Sequence, residues 1–236
     1  MGWRRSARHH GAMTTGGPDP QHDAPPFDLA TVDRLLTTTR SVRRRLRLDR
    51  PVAPELIDEC LEIALQAPNG SGTEPWRWIV VTDAGQRARL GAIYARSSAE
   101  YLAGLRAANP DLDETSTAMV SSRTLWDHLG DVPVLVVPCM QLSPWHRTSP
   151  QRAYVEPSVW GSVFPAAWSF QLACRSRGLG TCLVTSLLKY DTDVRSVLGL
   201  PDDVVMAGVI AVAHTEGEFH RARRRPVSEV RRYDRW

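Results

Sequence analysis

The chain has 236 residues, of which 42% are hydrophobic and 23% charged, a size and balance typical of a globular protein with one large domain or two small ones. No apolar run approaches the roughly 20 residues that span a bilayer, so no membrane partner is expected. The net charge of +3 is unevenly placed, because residues 40–50 hold six arginines against one aspartate and residues 221–236 hold seven arginines against two carboxylates. Two separate basic clusters favour local anion sites over a nucleic-acid surface, although a solvated basic surface stays open for each cluster alone.

The chain begins with a segment unlike the rest. Residues 1–26 are rich in Gly, Pro, His and Thr and almost free of aliphatic side chains, which predicts a disordered tail. Its first residues are basic, but no apolar stretch follows them, so the sequence predicts no secretory signal and a cytoplasmic location. Residues 27–236 form the predicted folded domain.

Helices dominate the first half of that domain. Apolar residues at helical spacing predict a first helix from about Leu29 that ends before "TRSVRRRLRL". Pro54 opens a second helix, and Pro68 stops it. "WIVV" is predicted to be a strand and residues 84–108 a long helix. Residues 109–128 are polar and give no clear assignment.

Buried strands appear in the second half. "VPVLVVPCM" (132–140) predicts a strand, followed by a loop to about residue 157 and a buried helix over 158–177 that ends at Gly178. "TCLVT" is predicted to be a short strand, "DTDVRSVL" a short helix and "VVMAGVIAVAH" one more strand. The tail from Thr215 has no core periodicity. About four strands alternating with helices, without a repeat or a linker in 27–214, indicate one α+β or α/β domain.

The cysteines and histidines exclude several kinds of site. Cys60, Cys139, Cys174 and Cys182 form no C-x-x-C pair and lie in apolar or helical contexts, which favours buried free thiols. The seven histidines show no H-x-H or H-E-x-x-H spacing, so we expect no metal site.

Common catalytic and nucleotide motifs are missing as well. The chain has no G-x-S-x-G elbow and no G-x-x-x-x-G-K-[ST] loop. "GLGTCL" (178–183) precedes a strand, whereas a dinucleotide-binding loop follows a strand and opens a helix. A Rossmann site for NAD is therefore not expected.

Three separated stretches do suggest a ligand. "TRSVRRR" places Ser41 between Arg40 and Arg43, a pattern that can bind a phosphate by charge-assisted hydrogen bonds. "APNGSGTEPWRW" (67–78) combines small residues, which let backbone amides approach a flat ligand, with two tryptophans; a tight turn with a tryptophan anchor is the alternative interpretation. "RARRRP" adds cations from the end of the chain. A phosphate at one end and a planar ring at the other describe flavin mononucleotide (FMN).

These stretches together carry a resemblance. Over residues 27–236 the sequence resembles the FMN-dependent nitroreductase family, in particular its NAD(P)H nitroreductases of the actinobacterial type. "TRSVR" matches the family's R-R-S-V-R element, and "APNGSGTEPWRW" matches A-P-S-x-x-N-x-Q-P-W-R-F. "ACRSRGLG" matches A-A-x-x-x-G-L-G, and the basic end matches R-R-P-x-x-E-V followed by Y-x-R-W. Four motifs in one order make the resemblance specific.

The resemblance implies a fold and a cofactor site. The fold would be an α+β three-layer sandwich, with a mixed central sheet of four strands flanked by helices and a fifth strand from the C-terminal tail of a partner subunit. FMN would be tightly bound, and no side chain would act as a catalytic acid or base. The implied phosphate ligands are Arg40, Ser41, Arg43 and one or both of Arg224 and Arg225. Pro68, Asn69, Gly70, Ser71 and Gly72 would contact the ring from the neighbouring subunit, while Thr185, Ser186 and Leu187 would offer a backbone N–H toward the flavin N5.

The implied activity is that of a homodimeric flavoprotein oxidoreductase. NADH or NADPH would be a transient co-substrate, and nitroaromatics or quinones would be acceptors in a ping-pong reaction. Thr39, Gly72 and Glu74 depart from the family pattern, and they put the phosphate contacts and the substrate preference in doubt more than the fold. A flavin-storage protein, a reductive dehalogenase and a flavin-consuming enzyme remain as alternatives.

Overall fold

The computed structural model describes residues 26–150 and 152–236, except for the side chains of residues 152–155. The predicted disordered tail, apart from residue 26, lies outside the described residues. Within them the helices are α1 (Leu29–Thr38), α2 (Pro54–Ala64), α3 (Ala84–Ala108), α4 (Thr117–His128), α5 (Pro144–Thr148), α6 (Arg152–Ser176), α7 (Asp191–Leu198) and α8 (Val227–Val230). The strands are β1 (Trp76–Val81), β2 (Val134–Gln141), β3 (Leu179–Val184), β4 (Val204–Met206) and β5 (Val209–His214).

The strands form a single sheet with β2 near its centre. The order is β1-β2-β5-β3, and β4 pairs with the far end of β2. Each strand pairing in the described part of the chain is antiparallel, with Trp76 opposite Met140 and Leu179 opposite His214. The predicted α+β class with helices around a central sheet is confirmed. Parallel pairing, expected from a mixed sheet, occurs in an isolated bridge between Ser41 and Thr181.

The last sheet segment differs from its prediction. "VVMAGVIAVAH" forms two strands, β4 and β5, where the pattern predicted one. Gly208 interrupts them with a φ of 144°, and a Cβ at this position would lie 2.7 Å from the carbonyl oxygen of Val184. Only a glycine accepts both the conformation and the close contact without strain. The chain thereby supplies a fifth strand of its own, while a strand from a partner subunit stays a prediction.

Helices cover both faces of the sheet. Alternate side chains of β2 point to opposite sides. Val134 and Val136 belong to a core with α2 and α6, whereas Leu135 and Val137 belong to a second core with α3, α4 and α7. β2 is buried from Val134 to Met140 because it has a helical layer on either face, so the result is a three-layer sandwich.

The helix predictions fail where sequence periodicity is weak. α4 lies in the unassigned segment 109–128, with its N-terminus capped by Ser116. The loop predicted to run to residue 157 instead contains α5 and the start of α6 at Arg152, so that prediction is wrong. The Pro and Ser residues of this stretch predict a loop. Ser143 instead forms a capping box with His146, and this box starts α5. No helix in the described ranges is both long and apolar enough to cross a bilayer.

The four cysteines are free and buried, as predicted. By contrast, the C-terminal tail leaves apolar side chains in solvent. Tyr233 is 71% exposed and Trp236 fully exposed, while Phe164 and Trp168 on α6 also lie substantially in solvent.

Candidate functional site

Residues 41–46 run beside the edge strand β3 and are held there by the backbone. The N–H of Val42 donates to the carbonyl oxygen of Thr181 at 2.8 Å, and Leu46 forms a bridge with Thr215. The side chains of Val42 and Leu46 are buried in the core beneath α3. Because these two side chains face inward, Ser41 and the arginines beside them are presented at the surface of the sheet edge.

This segment forms one wall of a cleft of about 1010 Å³. Arg40, Ser41 and Arg43 line it, so three of the predicted phosphate ligands come together in one cavity. The opposite walls are the first turns of α4 and residues 218–220. The further polar side chains that these walls contribute are Thr117, Ser121, Ser122, Glu218 and His220. The α4 hydroxyls could not be identified from the sequence, because the polar sequence of α4 gave no helix assignment.

The cleft has an excess of positive charge, because four arginines and one carboxylate line it. Neither Arg40 nor Arg43 forms an ion pair in the part of the chain that the structure describes. The side chain of Glu218 is 87% exposed, and its carboxylate lies 3.8 Å from Nε2 of His220. Guanidinium groups beside hydroxyl donors form a set that suits phosphate oxygens.

Arg43 is half-buried and lies near Cys182 of β3 and Tyr94 of α3. Burial raises the pKa of the Cys182 thiol, and the neighbouring Arg43 and Ser41 act in the opposite direction. Burial likewise raises the pKa of Tyr94 to about 12, with Arg43 again opposing it. Both groups stay neutral at physiological pH, so they leave the charge of Arg43 available to a ligand in the cleft.

The two C-terminal arginines behave differently. Arg224 lines a smaller cavity of about 400 Å³ together with Arg40 and Thr39. Because Arg40 also lines the larger cleft, which we call the arginine cleft, Arg224 lies next to that cleft. Arg225 is exposed and lines neither cavity. Thr39, which departs from the family pattern, lines the same cavity as Arg40 and Arg224.

Thr185, Ser186 and Leu187 follow β3 at its C-terminal end. A short 3-10 helix, Ser186–Tyr190, begins there, and the first N–H groups of such a helix have no acceptor within it. Leu187 is 1% exposed, and the hydroxyl of Ser97 donates to the carbonyl oxygen of Ser186 at 2.8 Å. Thr185 lies four residues beyond Thr181, or about 13 Å along the strand. The segment is thus held firmly at a distance from the arginines, and it does not line their cleft.

The loop from Pro68 to Gly72 lies at the other side of the sheet. It precedes β1, and three strand spacings, about 14 Å, separate β1 from β3. The N–H of Gly70 donates to Ser162 Oγ at 3.1 Å, which ties the exposed loop to α6. Trp76 is buried and donates from Nε1 to the carbonyl oxygen of Ser162 at 2.8 Å, so it serves as the anchor that the loop sequence suggested. Within one chain, therefore, this loop does not meet the arginine cleft.

Comparison with known proteins decides the family. A model of the nitroreductase family matches residues 36–214, which include the arginine segment, the glycine loop and all five strands. The chain belongs to the nitroreductase family. It is accordingly an oxidoreductase. Among the described residues, no group of three His, Cys, Asp or Glu side chains could hold a metal ion.

Two curated relatives span most of the chain. "NADH dehydrogenase" of Thermus thermophilus is 28% identical over 205 residues, covering 81% of this chain and 90% of that protein. "Nitrobenzene nitroreductase" of Ectopseudomonas oleovorans is 27% identical over 197 residues, covering 75% and 84%.

Two solved structures share the fold. The FMN-dependent nitroreductase NfnB from Mycobacterium smegmatis, in complex with NADPH, has a TM-score of 0.60 at 22% identity and covers 88% of this chain and 100% of its own. Iodotyrosine deiodinase bound to FMN and 3-iodo-L-tyrosine has a TM-score of 0.62 at 20% identity and covers 86% and 98%.

Proposed function

We propose that this nitroreductase-family protein is an FMN-dependent oxidoreductase that takes reducing equivalents from NADH or NADPH and passes them to nitroaromatic or quinone acceptors. One observation carries the proposal: Arg40, Ser41 and Arg43 line one cleft, and neither arginine forms an ion pair in the described residues. This donor set suits the phosphate of FMN. The similarity to the nitrobenzene nitroreductase and to the FMN-dependent nitroreductase supports the choice of cofactor and acceptor.

The chain's own residues bind and orient the cofactor. Arg40 and Arg43 offset the phosphate charge, and Ser41 donates a hydrogen bond to a phosphate oxygen. Arg224 is near enough to Arg40 to reinforce the phosphate site, whereas Arg225 is the weaker candidate. When bound, FMN supplies the redox chemistry at its ring, as cofactors of this kind do.

The far end of β3 orients the ring. A backbone N–H among Thr185, Ser186 and Leu187 would donate to the flavin N5 when FMN is bound, and burial of Leu187 holds this backbone in place. A donor fixed before the reaction stabilises developing negative charge without a reorganisation cost. The charge of the reduced ring is therefore favoured by this backbone, with no acidic or basic side chain required.

A second copy of the chain completes the site in this proposal. Pro68, Asn69, Gly70, Ser71 and Gly72 are too far from the arginine cleft of their own chain to serve it. The loop is exposed and close to α6, whose Phe164 and Trp168 are also exposed. A homodimer that pairs these surfaces would bring each loop to the ring held by its partner.

Reductive dehalogenation is the second candidate. The similarity to iodotyrosine deiodinase favours it, because the same fold there holds FMN and a halogenated substrate. Gly72 and Glu74 replace the family's usual residues in the loop proposed to face the ring, so this substrate region differs from the common pattern.

The test begins with the absorbance spectrum of the purified protein and the identity of the flavin that heat releases. Anaerobic addition of NADH or NADPH should bleach the flavin, and a nitroaromatic or quinone should restore its colour. Release of FAD, or no flavin, contradicts the cofactor proposal. Bound FMN that neither nucleotide bleaches supports storage, and reoxidation by an iodinated phenol but not by nitroaromatics supports the dehalogenase.

A further inference from the structure

A second cavity, of about 630 Å³, lies on the other side of Phe219 from the arginine cleft. Its walls are the middle of α1, the C-terminal end of α6 and residues 215–219. Phe219 and Glu218 border both cavities, so Phe219 forms part of the wall between them. The proposed flavin contacts do not include the other residues of this second cavity.

Two buried donors at this cavity have no acceptor. Nε of Arg175 and Oγ1 of Thr215 are shielded from solvent, and neither has a hydrogen-bond partner among the described residues. Both residues line the cavity. Buried polar groups in folded proteins are almost always paired, so two orphans at one cavity indicate an acceptor that binds there.

Positive charge gathers at the same place. The Arg175 guanidinium lies 3.7 Å from the centre of the Phe219 ring, and that of Arg45, which lines the arginine cleft and not the second cavity, lies 4.9 Å from it. Burial lowers the pKa of Arg175, and the charges of Arg34 and Arg45 lower it further. In the described ranges none of the three arginines forms an ion pair with a carboxylate. The carboxylate of Asp28 at the start of α1 accepts a hydrogen bond from the hydroxyl of Thr31. This bond lowers the pKa of Asp28, and the charge of Arg34 lowers it further.

The backbone conformation at Gly217 allows Arg45 to approach Phe219. Gly217 has a φ of 79°, and a Cβ there would lie 2.8 Å from Nη1 of Arg45. Nη1 of Arg45 in turn donates to the carbonyl oxygen of Glu218 at 2.7 Å. The absence of a side chain at Gly217 thus lets Arg45 fold over the segment and face Phe219. Like charges held this close without a counter-charge are unfavourable, and a bound anion relieves both the repulsion and the missing hydrogen bonds.

We propose that this cavity binds a phosphate group, separate from the phosphate of the flavin. Arg175 and Arg34 supply positive charge, and Thr215 adds a hydroxyl donor. Several guanidinium and hydroxyl donors around one point match the oxygens of a phosphate better than the two oxygens of a carboxylate. The cavity is large enough for free inorganic phosphate or for the phosphate end of a nucleoside monophosphate.

Calorimetric titration of the FMN-saturated protein tests the proposal, because the flavin phosphate site is then already filled. Inorganic phosphate and AMP are titrated separately at constant ionic strength. Each should bind at one site per chain, and Arg175→Met should weaken binding by about tenfold to a hundredfold, the effect of losing a charged hydrogen bond. Tighter binding of AMP would assign the site to a phosphate monoester, and equal or weaker binding would assign it to free phosphate.

Arg89→Met is the matched control, because Arg89 is exposed on α3 and does not line the cavity. It should leave the phosphate affinity unchanged. If Arg175→Met melts too low to be titrated, Thr215→Val and Arg34→Met replace it, each with an expected loss of about threefold or more. No binding by the parent protein, unchanged affinity in the cavity variants, or an equal loss in Arg89→Met overturns the proposal. Release of FMN by the cavity variants also overturns it, because the cluster would then belong to the flavin site.

Discussion

Neighbouring side chains in the arginine segment have opposite environments. Val42 is 4% exposed and fixed to β3, while Ser41 and Arg43 on either side of it line the cleft. Arg50, a few residues further on, is exposed and does not line that cleft. Charge alone therefore does not bring a side chain to the cleft; the register that Val42 imposes does.

Replacing Arg43 with alanine should weaken FMN binding far more than replacing Arg50. Loss of a charged hydrogen bond to a phosphate in a half-buried site should reduce affinity about tenfold or more, whereas loss of a surface charge should change it by less than about twofold. Fluorescence titration of the flavin-free variants measures both constants. Similar affinities for the two variants would contradict the assignment of Arg43 to the phosphate site.

We expect His214 at the end of β5 to make the stability of the fold depend on pH. Burial lowers its pKa, Arg50 lowers it further, and a hydrogen bond with the Pro51 backbone opposes the two. Since the folded state disfavours the protonated ring, the unfolded chain takes up the proton first as pH falls below about 6.5, the ordinary value. Stability should therefore be full above that pH and decrease below it.

Urea unfolding at pH 7.5 and at pH 5.5 tests this, with His214→Asn as the comparison. The parent protein should lose more stability between the two pH values than the variant does. Arg50→Ala should reduce the loss in part, because one of the two causes is removed. An equal loss in the parent and in His214→Asn would mean that other groups control this pH range.

Among the elements, Gly208 separates β4 from β5 and also supports the proposed ring site. A side chain there would press on the carbonyl oxygen of Val184 and approach Cγ2 of Thr185 at 3.4 Å. Gly208→Ala should destabilise the protein by about 2 kcal/mol or more, through backbone strain and the contact together. Flavin should also be held less firmly, because Thr185 would shift.

Gly104→Ala is the control for Gly208→Ala. Gly104 lies on the exposed side of α3, and a Cβ there meets nothing within 4 Å. The substitution should stabilise the protein by about 0.5–1 kcal/mol, because alanine favours the helix and restricts the unfolded chain. Urea unfolding midpoints measure both changes. A neutral Gly208→Ala would show that the strand break tolerates a side chain.

Elements with strong local signals could be predicted from the sequence, and those fixed by tertiary contacts could not. α3 is capped by Asp83, and α7 ends at Gly199 with a φ of 65°, so both matched their predicted ranges. α4 has a polar sequence and packs through few buried side chains, and the break at Gly208 arises from a contact with β3. The same division holds for the candidate site. The motif identified Arg40, Ser41 and Arg43, whereas the hydroxyls of Ser121 and Ser122 reach the cleft only through the packing of α4.

At the scale of the whole molecule, the exposed apolar side chains form the strongest argument for a partner. Val230, Tyr233 and Trp236 in the tail lie in solvent, as do Phe164 and Trp168 on α6. So much exposed aromatic surface is typical of an interface between subunits. The tail has little contact with its own core, so we expect it to pack on a second copy.

Deleting residues 227–236 should therefore dissociate the dimer and release flavin. Light scattering during size-exclusion chromatography gives the mass, and the visible absorbance of the same peak gives the flavin content. Replacing residues 227–236 with a Gly-Ser segment of equal length controls for chain length. A truncated protein that stays dimeric would rule out a tail that packs on the partner, and a truncated monomer that keeps its yellow colour would rule out a ring site completed by the partner.

The order in which the two substrates of the proposed reaction bind depends on features of the entire chain. No glycine fingerprint in the sequence follows a strand and opens a helix, so the nicotinamide has no Rossmann site to retain it. NAD(P)H and the acceptor must each bring a reacting atom to about 3–3.5 Å from the flavin ring, and two rings cannot occupy one face together. We therefore expect the nicotinamide product to leave before the acceptor enters. Initial rates at several fixed acceptor concentrations should give parallel double-reciprocal lines against NAD(P)H. Intersecting lines would instead require a ternary complex, with a second binding place for the nicotinamide beside the ring.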